Sequence, residues 1–423
     1  MANMAKNNTH FQVLILCSLG GLLEFFDFMI FALFSNELAQ IFFPNQNKIN
    51  ALFATFSTFA IGYLARPMGG IIFGHFGDKY GRKRTFTTSI LIMAMSTFLI
   101  GFVPSYQSIG IAAPILLIFL RLLQGLSIGG EIPGAITYIS EYLPQKKGLA
   151  VGMIFCFLLS GISLGLLMQV GLHVFYTQET IIDWAWRLPF FIGGVFGCMA
   201  YFLRKKLLET PNFSPFMLQE TRFPFIAIFK TQKRTFIFTV LLMSCSGMPL
   251  TILFIFLPTY LSSILEKTNL YSAPSMMNAI SIVLASLSCL LVGWISDKMN
   301  RFYVLAIFAA ASLLLPIPIY MIYIDNTQLF PLAILMSSLL VGLALGNSPV
   351  ILSELFNTNI RYSGIGLAYN IGIGIVGGLT PLLLLSAIST FNSVLIPAYT
   401  LMINALVLLV VTFFYHFYQK KQK

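Results

Sequence analysis

The chain has 423 residues, of which 57% are hydrophobic and only 9% charged, and its net charge is +11. A soluble globular protein carries roughly 25% charged residues, so most of this surface faces something other than water, and lipid is the obvious candidate. Long continuous apolar runs exclude a membrane β-barrel, whose strands alternate apolar and polar residues over about ten positions; they also exclude a water-soluble basic nucleic-acid binder.

One spanning helix needs roughly 20 apolar residues, and twelve would use about 240. The apolar runs predict an all-α membrane protein of twelve helices. The first half holds 11–35, 51–74, 85–103, 112–142, 148–172 and 186–206; the second holds 235–262, 274–296, 302–323, 329–353, 363–388 and 394–417. Before the first run the only Lys or Arg is Lys6, and there is no small-residue cleavage pattern, so that run reads as a retained helix and not a signal peptide.

Helix 1 carries Glu24 and Asp27, three residues apart and therefore on one helix face. A charge at mid-bilayer is costly unless paired or wet, which makes it a functional candidate by default. Asp27 is the first candidate for a proton carrier and Glu24 the second. The alternative is that both are permanently paired with basic residues. Arg66, near an end of helix 2, is a candidate substrate contact.

The segment after helix 2 reads Gly74-x-x-x-Asp78-x-x-Gly81-Arg82-Lys83-Arg84 and is expected to be a loop. Gly74 and Gly77 permit close helix approach. Asp78 sits at a helix end, where it can accept from the amides of a neighbouring helix N-terminus. Arg82 can reach a carboxylate on another helix, for which Glu141 is the natural candidate. Such pairs would latch one side of a bundle shut.

Helix 4 places Arg121, Gln124 and Glu131 within a sector of roughly 80° along about 15 Å. One face thus presents a cation, an amide and an acid. Arg121 can hold a substrate carboxylate by paired hydrogen bonds, or serve as the ion-pair partner of Asp27 or Glu24. Gly129, Gly130 and Pro133 interrupt the helix near its middle, and Pro133 frees a backbone carbonyl. Helix 5 contains Ser160-Gly161-Ile-Ser-Leu-Gly165 without proline. Arg187 opens helix 6.

A polar stretch, 207–234, holds Glu209, Pro211, Pro215, Glu220, Arg222 and Pro224. It reads as a linker between an N-terminal bundle, 1–206, and a C-terminal bundle, 235–423. In the second bundle Gly247, Pro249, Gly346, Pro349, Gly372, Gly374, Gly377, Gly378 and Pro381 permit bending. Tyr369 and Asn370 offer polar groups in the otherwise apolar helix 11, as substrate contacts or as packing residues.

The bundles echo each other. Gly74, Asp78, Lys79 and Arg82 recur as Gly293, Asp297, Lys298 and Arg301 at an offset of 219, and Ser140-Glu141 recurs as Ser353-Glu354 at 213. Such internal repeats build many secondary transporters. Symmetry suggests a second latch of Asp297, Arg301 and Glu354, with Arg361 nearby. With both termini in the cytoplasm, 20 of the 25 basic residues fall on the cytoplasmic side, including Lys6, Lys146, Lys147, Arg204, Lys205, Lys206 and Lys420. Only Lys48 and Lys267 fall outside, a strong positive-inside bias. That bias also accounts for the net charge.

The Asp78 motif resembles the segment between helices 2 and 3 of the major facilitator superfamily. Gly21-Leu-Leu-Glu24-Phe-Phe-Asp27-Phe28, Arg66-Pro67-Met-Gly69-Gly70, Arg121-Leu-Leu-Gln124-Gly125, Gly129-Gly130-Glu131 and Trp186-Arg187-Leu-Pro189-Phe190 look like the metabolite:proton symporter family within it. So do Glu209-Thr-Pro211-x-Phe213 and Arg361-x-Ser-Gly364 followed by Tyr369-Asn370. The resemblance covers nearly the whole chain and implies proton-coupled uptake of solutes such as proline, betaine, citrate, 2-oxoglutarate or shikimate. Where that family commonly shows Glu-Trp-Tyr-Asp-Phe, this chain has Phe25 and Phe26, so two ring donors are lost. The polar central and C-terminal segments are short, and no long coiled tail is expected.

Cys17, Cys156, Cys198, Cys245 and Cys289 all lie in apolar runs, which indicates packing sulfur and neither a metal site nor a disulfide framework. The four histidines are scattered, and no phosphate-binding loop, HExxH or GxSxG pattern occurs. No cofactor, nucleic-acid partner or enzyme activity is expected. The expectation is a monomeric, proton-coupled importer of a small polar, carboxylate-bearing metabolite in the bacterial inner membrane, with lipid around it. A proton-driven exporter is the first alternative; the resemblance disfavours it, because proton antiporters of the superfamily often carry a Gly-Pro motif in helix 5 and this helix 5 has no proline. A non-transporting receptor on a transporter fold is the second.

Overall fold

The computed structural model describes residues 2–44, 48–209, 224–257, 260–265, 274–325 and 327–420. Pro211, Phe213, Pro215, Glu220, Arg222, Lys267, Lys421 and Lys423, which figured in the linker, motif and charge readings, lie outside them. The described residues are helical almost throughout, without strands.

The long helices are α1 (Ala2–Leu33), α2 (Lys48–Tyr80), α3 (Arg82–Ile100), α4 (Ala112–Tyr142), α5 (Lys147–Phe175) and α6 (Arg187–Arg204). They continue with α7 (Lys233–Leu250), α8 (Pro274–Lys298), α9 (Arg301–Asp325), α10 (Phe330–Leu355), α11 (Thr358–Phe391) and α12 (Ile396–Lys420). Among the described residues nine helices are long and apolar enough to cross a membrane, or ten if the bent pair 178–204 is one span. The chain is an all-α, multi-pass membrane protein.

The segment from Gly74 is not the expected loop. α2 runs on to Tyr80, and α3 starts at Arg82. The whole break is Gly81, at φ 112° and ψ 142°, a conformation essentially closed to side-chain-bearing residues. The motif is therefore a helix end and a helix start, not a flexible turn.

Prolines and glycines set the other interruptions. α9 breaks at Leu315, just before Pro316. α7 passes Pro249 and runs into a π-helical turn, Thr251–Ile255. α11 contains a longer one, Asn370–Val376, in a glycine-rich stretch. Such turns mark departures from regular i to i−4 bonding and are frequent at functional sites.

The chain forms two compact units. The first comprises 1–142, 157–225 and 358–366, and the second 143–156, 226–357 and 367–423. In the first, α2 packs on α4, and α3 on α4 and α6. An added Cβ at Gly69, Gly125 or Gly129 would collide with the backbone of Leu126, Gly62 or Arg66, so α2 and α4 touch main chain to main chain. Phe26, Phe31, Phe34, Phe42, Trp186 and Phe190 build an aromatic core in this unit. In the second unit α8 packs on α10. Leu167, Phe175, Leu382 and Phe414 are among many large apolar side chains left exposed, as expected where the solvent is lipid.

The units differ in what they bury. Glu24, Asp27, Glu37, Arg66, Asp78, Arg82, Arg121, Glu131, Glu141 and Arg204 are the buried charged side chains among the described residues, and all belong to the first unit. The second buries neutral polar groups such as Ser246, Ser348, Asn347, Asn370 and Asn404.

Candidate functional site

Helices α1, α3 and α4 bring Asp27, Thr97, Gln124 and Arg121 into one line of hydrogen bonds. Arg121 Nη1 donates to Gln124 Oε1 at 2.8 Å. Gln124 Nε2 donates to Thr97 Oγ1 at 2.6 Å, and Thr97 Oγ1 donates to Asp27 Oδ2 at 2.6 Å. Arg121 and Gln124 are three apart on α4, so their side chains meet on one face. Asp27 fits only because α6 has Gly193 opposite it; a Cβ there would strike Oδ1. Arg121 and Asp27, one of the two pairings expected from the sequence, are thus joined through two neutral side chains.

Arg121 is 2% exposed. Its guanidinium lies 3.8 Å from the centre of the Phe31 ring, with Phe28 and Phe59 within 5.7 Å. Ring faces stabilise a buried cation by about 0.5–2 kcal/mol each, which offsets only part of its desolvation. Its Nε and Nη2 have no hydrogen-bond partner among the described residues, and neither does Asp27 Oδ1. A buried cation with two unused donors can receive a carboxylate.

Glu24 stands next to this line. It is fully buried, and both of its carboxylate oxygens lack a hydrogen bond among the described residues. Arg66, Glu131, Arg204 and Asp27 act on it electrostatically. Arg66 also lies 5.4 Å from the Tyr63 ring.

Glu131, a candidate substrate contact, has both oxygens engaged. Oε1 pairs with Arg204 Nη1 at 2.6 Å, and Oε2 accepts from Ser89 at 2.8 Å. Arg204 is fully buried, lies 3.7 Å from the Phe86 ring centre, and also donates to the carbonyls of Leu16 and Cys17. The sequence reading counted Arg204 with the loop cations. Its neighbours Lys205 and Lys206 masked it, and the signal was a cation still inside an apolar helix.

Tyr369 and Asn370 are buried where the π-helical turn of α11 begins, with Phe155 6.3 Å from the Tyr369 ring. Arg187 donates to the carbonyls of Gly101 and Val103, which ties it to a helix end.

The two echoed motifs make the same clasp. In the first unit Asp78 Oδ1 and Oδ2 accept from the backbone amides of Tyr362 and Ser363 at 3.1 and 2.8 Å. In the second, Asp297 Oδ1 and Oδ2 accept from the amides of Gly148 and Leu149 at 2.7 and 2.8 Å. Each carboxylate thus satisfies two orphan donors of a helix start. Glu141 lies between Arg82, at 3.3 Å, and Arg361, at 2.9 Å. Glu354 lies between Arg301, at 2.9 Å, and Lys147, at 3.9 Å. Lys147 takes the place that Arg361 holds in the first motif. A third echo, Arg361 and Lys147 each one residue before the clasped amides, would have found it.

Comparison with known proteins agrees with this architecture. Residues 17–381 match the Major Facilitator Superfamily. The chain is 32% identical over 408 residues to the proline/betaine transporter of Escherichia coli (strain K12), covering 92% of this chain and 80% of that protein. It is 32% identical, with the same coverage, to the glycine betaine/proline/ectoine/pipecolic acid transporter of Dickeya dadantii (strain 3937). Among solved structures it is similar to the xylose transporter from E. coli in a partially occluded inward open conformation. There the TM-score is 0.68 at 16% identity, covering 96% of this chain and 97% of that one. It is also similar to a human organic anion transporter, with a TM-score of 0.68 at 14% identity, covering 96% of this chain and 99% of that one.

Proposed function

The chain belongs to the Major Facilitator Superfamily and is a membrane transporter, not an enzyme, and from that premise we propose that it is a proton-coupled symporter importing a small, carboxylate-bearing solute of the proline or betaine kind. The observation that carries this reading is the bonded line from Asp27 to Arg121. It puts a carboxylate able to load a proton and a cation with unused donors in one buried network. The solutes named for its relatives all suit a carboxylate receptor.

In this reading Asp27 is the main proton carrier and Glu24 the second. The Arg121 guanidinium receives the solute carboxylate, with Gln124 beside it. Arg66, Tyr369 and Asn370 contribute further contacts, and Glu131 acts through its pair with Arg204. Asp78, Arg82, Glu141 and Arg361 form one latch, and Asp297, Arg301 and Glu354 with Lys147 the other. They break and reform as the solute site is exposed to one side of the membrane and then the other. Both latches and both termini lie on the cytoplasmic side of a bacterial inner membrane, as the distribution of Lys and Arg supports, and the protein works as a monomer.

The test is uptake of radiolabelled proline and glycine betaine into proteoliposomes, with and without an inward proton gradient. Asp27→Asn is expected to abolish uphill accumulation and to retain exchange of internal for external solute. Accumulation by that variant at the wild-type level would reject the proton assignment. Efflux against a gradient in place of uptake would reject the direction.

A further inference from the structure

We propose that Thr97 is the positioning residue that reports the protonation state of Asp27 to Arg121, by way of Gln124. The inference rests on the assignment of Asp27 and Arg121 above, and it adds how the two communicate without touching.

Hydrogen-bond polarity links the two ends. An arginine guanidinium only donates, and an ionised carboxylate only accepts. Arg121 therefore obliges Gln124 to present Oε1, which turns Nε2 toward Thr97. Thr97 Oγ1 accepts from Nε2 and has its own hydrogen left for Asp27 Oδ2. The two charged ends fix the direction of every bond between them. Thr97 and Gln124 are the two residues in the line that both donate and accept, so the line can run either way.

A proton passed to Asp27 from hydronium, which leaves as water, removes one of the fixed ends. A neutral carboxyl either donates toward Thr97 or accepts from it far more weakly, because hydrogen bonds to ionised groups are roughly twice as strong as neutral ones. The Thr97 hydroxyl then turns its hydrogen to Gln124. To receive it the amide rotates, which presents Oε1 to Thr97 and Nε2 to Arg121. Two donors now face each other, and Arg121 leaves Gln124 with a third donor group free for an incoming carboxylate. The only covalent change is that one O–H bond breaks on a hydronium ion, which departs as water, and one O–H bond forms on Asp27.

The surroundings favour transmission along this line. Thr97 is fully buried, and Asp27 and Gln124 are each 2% exposed. The charged groups acting on Asp27 are Arg121, from α4, and Glu24, on its own helix. Next to it α3 presents Thr97 and α6 presents Gly193.

The experiment is infrared difference spectroscopy of the full-length protein in lipid, titrated from alkaline to acid, with no solute added. The Asp27 carboxyl band is identified by its absence in Asp27→Asn. Arginine modes are identified by nitrogen-15 labelling and by Arg121→Lys. In the wild type, protonation of Asp27 is expected to shift the Arg121 guanidinium modes in step. Thr97→Val keeps the shape and removes the hydroxyl; it should retain the carboxyl band and lose the guanidinium shift. Gln124→Met breaks the line one residue further on and should lose the same shift, whereas Thr97→Ser should restore it. A guanidinium shift that persists in Thr97→Val or Gln124→Met overturns the proposal. So does a wild type in which no Asp27 band appears, or in which it appears without any arginine response. A wild type that fails to accumulate solute would instead sink the transport reading and leave these spectra unaffected.

Discussion

Arg121 and Arg204 are both buried cations on ring faces, yet they are held differently, and the difference assigns them different work. Arg204 is fully committed to Glu131 and to backbone carbonyls. Removing one partner of such a buried pair costs about 3–5 kcal/mol, because the other charge is left uncompensated. Glu131→Ala should therefore lower the thermal midpoint of the purified protein sharply, and Glu131→Met with Arg204→Met should recover most of the loss. Equal midpoints for Glu131→Ala and the wild type would contradict the pairing. Arg121 keeps two donors unused among the described residues. Arg121→Ala is expected to weaken binding of a carboxylate ligand by about tenfold or more, since hydrogen bonds to charged groups contribute about 1.5–3 kcal/mol. A thermal-shift titration with proline or glycine betaine reads this, and unchanged affinity would reject the contact. Glu24, Asp27, Arg121 and Gln124 were legible in the sequence because charge and amide stand out in an apolar run. Thr97 was not. A hydroxyl in a helix usually bonds its own preceding turn, and nothing in a single sequence marks the one that bonds across helices.

At the scale of elements, the clasps of Asp78 and Asp297 hold the starts of α11 and α5 by backbone amides. Their removal should be felt first at those amides, although each carboxylate also pairs with an arginine four residues on, Arg82 at 3.5 Å and Arg301 at 3.1 Å. In hydrogen–deuterium exchange, Asp78→Ala should speed exchange at Tyr362 and Ser363, and Asp297→Ala at Gly148 and Leu149. If neither variant alters exchange at its own pair, the clasps do not hold the helices. Gly81 is the one-residue break between α2 and α3, and Gly81→Ala should cost about 1–3 kcal/mol of stability through backbone strain, read as a lower thermal midpoint. Helix positions followed from apolar runs to within a few residues at most ends. The motif after Gly74 misled because its polar residues look like a loop. They are instead the last turn of α2 and the first of α3, with polar groups facing other helix ends. The π-helical turn at Asn370–Val376 left no trace in the apolar pattern; there Gly372 lies against Met243 and Ser244 of α7, a contact that no single-sequence pattern shows.

For the molecule as a whole, the repeat in the sequence is a repeat of clasps, one in each compact unit, but the buried charge is not repeated. Among the described residues the first unit holds the buried charged side chains, and the second buries neutral hydroxyls and amides. In the proposed reading that asymmetry assigns the proton and the solute carboxylate to the first unit. Charge counting could locate candidate buried ions, but it could not show that among the described residues the second unit buries none, because a count does not tell a loop cation from a buried one. The central claim is that proton entry at Asp27 drives solute movement. The most direct measurement is simultaneous recording of internal pH and radiolabelled proline or glycine betaine in proteoliposomes. Adding solute outside is expected to acidify the lumen of wild-type vesicles, and Asp27→Asn vesicles are expected to exchange solute with no acidification. Solute accumulation without proton entry in the wild type, or undiminished acidification in Asp27→Asn, would contradict it.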